Sequence, residues 1–142
     1  MLNDSIIRIF KLPNKKIITS YKIFQKIDNN YYSINQYYNN YFRFPPINEW
    51  CSCYFDYNKI RWNNFTVKDN NIEYPVGFHS LTSLEDSKII YEKLYNLPNY
   101  VLCKCNIKYR LVEILKNYDL GNGIIPVNIL VSRGLKIIKE IK

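Results

Sequence analysis

The chain has 142 residues, of which 47% are hydrophobic and 23% charged, and its formal net charge is +8. Four glycines exclude a collagen-like protein, and no apolar run reaches the roughly 18 residues of a membrane-spanning helix. Fourteen tyrosines, abundant lysine and asparagine, and the lack of alanine are what a strongly AT-rich genome encodes. The composition therefore predicts one globular domain over residues 1–142, without a membrane partner, whose positive charge partly reflects codon usage.

The N-terminal third favours strands. Ile6 to Leu12 fits a short strand or a frayed arm, and β-branched and aromatic residues predict a strand from Lys16 to Ile27. Asp28-Asn29-Asn30 favours a turn, because Asp and Asn side chains bond to nearby backbone. Tyr31 to Phe44 ends at a Pro-Pro pair, and its pattern leaves a strand, a loop or a mixture open.

The middle of the chain carries weaker strand patterns. Trp50 to Tyr57 alternates as a strand does, and Arg61 to Val67 fits a second, partner strand. Lys68-Asp69-Asn70-Asn71 predicts a turn after it.

The clearest local signal is a helix start. Thr82 and Glu85 fit a capping box, and Ser83 with Asp86 is an alternative frame for the same motif. We predict a helix from Leu84 to Tyr95, which Pro98 bounds.

The last third favours strands again. Tyr100 to Ile107 predicts a strand, whereas Lys108 to Tyr118 fits either a helix or a continuation of that strand. Pro126 to Ser132 predicts a short helical turn, and Leu135 to Ile141 a terminal strand. Strands outnumber helices without regular alternation, so we predict an α+β fold, mainly an antiparallel sheet with one or two helices packed on it.

The four cysteines form two Cys-x-Cys pairs, Cys51 with Cys53 and Cys103 with Cys105. On a strand, residues i and i+2 share a face, so four thiolates would converge into a zinc site if the two strands were neighbours. Buried thiols and disulfides are the alternatives. Zinc is the one cofactor that the sequence suggests. The chain start lacks the basic segment of a secretory signal, which predicts a cytoplasmic location.

His79 is the only histidine, and no phosphate-binding loop, dinucleotide fingerprint or nucleophile elbow occurs. A single histidine before a capped helix favours a structural role. We therefore expect no catalytic machinery from these motifs.

Basic charge together with aromatic residues suggests nucleic-acid binding, because lysine and arginine neutralise phosphates and aromatic rings stack on bases. The densest aromatic stretch gives the candidate interaction residues Tyr37, Tyr38, Tyr41, Phe42 and Arg43. The clearest basic run is at the C-terminus: Arg133, Lys136, Lys139 and Lys142. Tyrosine is equally suited to protein interfaces, so a protein partner and a homo-oligomer stay open.

Three segments resemble small uncharacterised proteins of phages and giant DNA viruses of the mimivirus type. They are Tyr21-Lys22-Ile23-Phe24, the Gly77-Phe78-His79-Ser80 stretch followed by its capped helix and by Tyr100 to Ile107, and Leu135 to Ile141. This resemblance implies an accessory protein of viral or mobile-element type that acts in the host cytoplasm by binding a host or viral macromolecule.

The middle segment also resembles the second core motif of ADP-ribosyltransferases. On that resemblance His79 takes the nicotinamide-stacking position, with Ser83 and Tyr91 beside it. The family's first-strand His or Arg has only Lys22 as a counterpart, and Glu113 and Glu140 are loose candidates for the last motif. The alternative function is therefore a nucleotide-binding enzyme of this type or an inactive relative.

Overall fold

A computed structural model describes residues 6–14, 16–34, 43–52, 66–69, 72–75 and 77–142. The described part contains one helix, α1 (Leu84–Leu94), among strands β1 (Ile6–Asn14), β2 (Ile18–Ile27), β3 (Asn30–Ser33), β4 (Trp50–Ser52), β5 (Thr66–Asp69), β6 (Ile72–Pro75), β7 (Phe78–Leu81), β8 (Tyr100–Asp119) and β9 (Ile124–Glu140). The fold is α+β, mainly an antiparallel sheet with one short helix, as the sequence predicts.

The main sheet has the order β1-β8-β2-β7-β9-β4, and β3 pairs with β2. β5 and β6 form a separate two-stranded sheet. Thr66 and Val67 therefore pair with β6, while β4 pairs with β9. The rest of the two strands predicted in this region lies outside the described residues.

The long hairpin of β8 and β9 organises the sheet. Asp119 lies opposite Ile124, and the turn between them includes Gly121 at φ +88°, a backbone conformation that glycine adopts without strain. The first half of β8 pairs with β2 and the second half with β1. The segment from Lys108 to Tyr118 thus continues the strand rather than forming a helix.

The hairpin also closes a circuit of strand pairs. β9 pairs with β8 along its length and with β7 from Ile129 to Ser132. β7 in turn meets β2 where Leu81 lies opposite Tyr21, and β2 pairs with β8. The four strands β8, β9, β7 and β2 are therefore each paired with the next, and the last, β2, pairs again with β8.

Alternating residues of these strands build two apolar clusters on opposite sides of the sheet. Ile23 and Phe24, neighbours on β2, belong to different clusters. The helix-side cluster comprises Ile23, Leu81, Ile90, Tyr91, Leu102, Val112, Ile114, Val127, Ile129 and Val131. The far-side cluster comprises Phe24, Tyr31, Phe44, Cys51, Phe78, Cys103, Cys105, Ile107, Leu130, Leu135 and Ile137.

The predicted helix is confirmed, and the structure selects one of its two capping frames. Ser83 is the N-cap, since its side chain accepts a 3.1 Å hydrogen bond from the Asp86 backbone N–H. Ile90 and Tyr91 face the sheet, while Leu94 at the end of the helix is exposed.

The helical turn predicted from Pro126 to Ser132 is wrong, because these residues belong to β9. Proline suits the first turn of a helix, which is why the sequence pattern misleads. It is tolerated in this strand because β7 pairs only from Ile129 onward, so among the described strands Pro126 has β8 alone as a neighbour.

Candidate functional site

The described cysteines are buried thiols that form no disulfide with one another: Cys51, Cys103 and Cys105. All three belong to the far-side cluster, but β9 separates the strand of Cys51 from that of the other two. Burial raises the pKa of Cys105 to about 12 and also raises that of Cys103. Cys53 lies outside the described residues. In the part of the chain that the structure describes, no three His, Cys, Asp or Glu side chains group as metal ligands do, and the zinc site stays a prediction.

The three residues singled out by the predicted resemblance to transferases, His79, Ser83 and Tyr91, make contacts within the fold. The Tyr91 hydroxyl donates to the Tyr100 carbonyl at 3.0 Å, and the Ser83 hydroxyl caps α1. Burial, reinforced by Lys22, lowers the pKa of His79 to about 4, so its ring is neutral near pH 7. The Lys22 ammonium donates to the His79 carbonyl at 2.5 Å.

The two glutamates of the same hypothesis lie on different strands. Glu113 is on β8 opposite Leu130, and Glu140 ends β9. The Glu140 carboxylate accepts hydrogen bonds from the Lys26 ammonium and the Tyr31 hydroxyl, both at 2.8 Å. The bond from Lys26 is the main reason that the pKa of Glu140 is lowered.

Of the aromatic stretch predicted as an interaction site, Tyr37, Tyr38, Tyr41 and Phe42 lie outside the described residues. Arg43 is exposed, and its Nη2 donates to the Asn30 side-chain oxygen at 2.8 Å. The stretch stays a predicted interaction site.

The structure brings together a different basic surface, here called the basic face: Trp50, Lys104, Lys108, Lys136 and Lys139. Lys104 and Lys108 lie on the same side of β8 as Leu102 of the helix-side cluster, because they are separated from it by even numbers of residues. Lys139 lies opposite Lys104, and Trp50 lies opposite Lys136. Three adjacent strands, β8, β9 and β4, thus present these five side chains together.

Trp50 is the centre of the basic face. The Lys108 ammonium lies 4.1 Å from the centroid of the Trp50 ring, and the Lys136 ammonium lies 4.9 Å from it. Both distances are within the range of a cation–π interaction, which holds the two charges near one ring.

Gly134 gives Lys108 access to Trp50. Lys108 lies opposite Gly134 on β9, and β4 is the next strand beyond β9. A Cβ atom at position 134 would lie 2.7 Å from Cγ of Lys108, closer than real Cβ atoms approach other heavy atoms. The missing side chain therefore leaves the space across which the lysine crosses β9.

The positive charge of the basic face is not neutralised within the described part of the chain. The ion pairs described there join Lys26 to Glu140 and Lys142 to Glu92, and neither involves the basic face. Like charges directly opposite each other on paired strands, such as Lys104 and Lys139, destabilise a sheet. The two ammonium groups therefore repel each other across the strand pair.

Sequence reasoning found only part of this surface. The regular spacing at the C-terminus drew attention to Lys136 and Lys139, but Trp50, Lys104 and Lys108 were missed. Their position depends on the pairing of β4 and β8 with β9, for which the sequence has no local signal.

Comparisons with protein families, with curated proteins and with solved structures found no match. No helix in the described residues combines the length and the apolar character needed to cross a bilayer.

Proposed function

We propose that this protein binds nucleic acid through its basic face, as a small accessory protein of the cytoplasm. The observation that carries the proposal is the pair of ammonium groups, Lys108 and Lys136, held beside Trp50 without a carboxylate partner among the described residues. Ammonium groups fixed before binding lose little conformational freedom when a phosphate arrives.

The extent of the basic face favours a chain of phosphates over a single anion. Lys104 and Lys108 are four residues apart on β8, which corresponds to about 13 Å along a strand. Lysines distributed over that length of strand suit successive phosphates of a nucleic acid better than they suit one phosphate group. The net charge of +8 adds a long-range attraction for such a polymer.

The first test is the salt dependence of binding. Fluorescence anisotropy would give the Kd of the purified protein for labelled single-stranded and duplex oligonucleotides of mixed sequence between 50 and about 300 mM salt. Each lost phosphate contact lowers the slope of log K against log salt by about 0.7 for a single strand. We expect Lys108→Gln with Lys136→Gln to weaken binding and to lower the slope by about 1.4.

The matched control is Lys88→Gln with Lys93→Gln on α1, which changes the net charge equally outside the basic face. It should have a small effect on Kd. If both double variants weaken binding equally, or if the wild type does not bind at 50 mM salt, the proposal is wrong.

A second variant keeps every charge. Gly134→Ala places a methyl group where Lys108 crosses β9, so we expect weaker binding at unchanged net charge. Gly123→Ala is its control, since a Cβ atom there meets nothing within 4 Å. Circular dichroism of both variants would show that the fold is retained.

A further inference from the structure

Tyr109 is an exposed ring beside the basic face. It lies in the middle of β8, yet 43% of its surface is exposed. The same Lys108 ammonium that contacts Trp50 lies 5.7 Å from the centroid of the Tyr109 ring. The two rings therefore flank one lysine.

The backbone of Tyr109 is unusual for a tyrosine. Its φ of +56° lies in the left-handed region, which is unfavourable for a bulky residue in the middle of a strand. The pairing with β9 is irregular just beyond it, between Arg110 and Val112. Such irregularities re-aim side chains and are frequent beside functional sites.

We infer that Tyr109 is a stacking platform and that the ligand of the basic face is single-stranded nucleic acid. The inference rests on the proposed function. An exposed ring next to fixed ammonium groups can receive an unpaired base while the lysines bind the adjoining phosphates. In a duplex the bases are already stacked, so a duplex would meet only the lysines.

The decisive variant removes the ring and keeps the backbone conformation. Asparagine tolerates the left-handed region, so Tyr109→Asn should fold with undiminished stability. We expect it to weaken the binding of single-stranded oligonucleotides by about tenfold. Its Kd for a duplex and its salt slope should not change, because a stacking contact involves no phosphate.

Two further variants separate stacking from other effects of the substitution. Tyr109→Phe keeps the ring and should bind single strands as the wild type does. Leu97→Asn removes an exposed apolar side chain outside the basic face, and should leave Kd unchanged. Thermal unfolding of each variant, followed by circular dichroism, checks the fold.

Oligo(dT) and oligo(U) of equal length separate the two sources of single strand, DNA and RNA, and tighter binding of either one than of a duplex supports the inference. Equal affinity for duplex and single strand, or wild-type binding by Tyr109→Asn, would overturn it even if the lysine variants behave as expected. If Lys108→Gln with Lys136→Gln bound nucleic acid as the wild type does, the proposed function would be wrong instead.

Discussion

Lys22 carries a charge that burial in the fold disfavours. It lies on β2 opposite Cys103 and on the same side as Phe24 of the far-side cluster, with its ammonium bonded to the His79 carbonyl. Burial lowers the pKa of Lys22 from 10.5 to about 8, and Cys105 opposes this slightly. The folded protein therefore releases this proton more readily than the unfolded chain does.

This difference predicts a pH dependence of stability. Between pH 8 and pH 10.5 the unfolded chain binds more protons at Lys22 than the folded protein, so Lys22 makes the free energy of unfolding rise with pH there. Lys22→Met removes the contribution, which is at most about 1.4 kcal/mol per pH unit. Urea unfolding of both proteins at pH 7.5 and pH 9.5 should show the wild type gaining relative to the variant.

The comparison with the variant is needed because other groups act in the opposite direction. The raised pKa values of Cys103, Cys105 and Tyr31 lower stability in alkali in both proteins. A difference between wild type and Lys22→Met that stays constant with pH would show that Lys22 keeps its ordinary pKa.

The helix α1 depends on one hydroxyl at its start. Ser83→Ala leaves the Asp86 N–H without its side-chain acceptor and should cost about 1 kcal/mol of stability. Thr82→Ala is the matched control, because the Thr82 hydroxyl makes only a 3.5 Å contact with the Asn128 carbonyl. Equal losses of free energy in urea unfolding would contradict the assignment of Ser83 as the cap.

The elements that the sequence predicts correctly are those with local causes. The helix was found because its cap, its spacing and the following proline all lie within one segment. The prediction for Pro126 to Ser132 is wrong because the strand there depends on pairing with β7 and β8, which come from other parts of the chain. The sequence predicts only part of the basic face for the same reason, since Lys108 and Trp50 meet only through the pairing of β4, β9 and β8.

At the scale of the whole molecule, the closed circuit of β2, β8, β9 and β7 predicts two kinds of unfolding. Strands outside the circuit separate locally, whereas strands within it separate only when the sheet unfolds. Cys51 lies in the three-residue strand β4, which pairs with β9, whereas Cys103 and Cys105 lie in β8 between β2 and β9. Fraying of a short strand needs far less free energy than opening the circuit. A thiol reagent should therefore modify Cys51 first.

Mass spectrometry of a Cys53→Ser background would follow the three described thiols separately at increasing urea. Modification of Cys103 and Cys105 should accelerate steeply with urea, because it requires global unfolding, and that of Cys51 should respond weakly. A common rate and urea dependence for all three thiols would show that β4 opens only with the whole sheet.

The irregular pairing between Arg110 and Val112 makes β8 sensitive to length. Val112 and Ile114 project to the helix-side cluster only because the irregular stretch before them has its present number of residues. A substitution in this stretch changes one side chain, but the loss of a single residue reverses the side to which every later residue of the strand projects. In related chains we therefore expect the stretch from Lys108 to Val112 to keep its length.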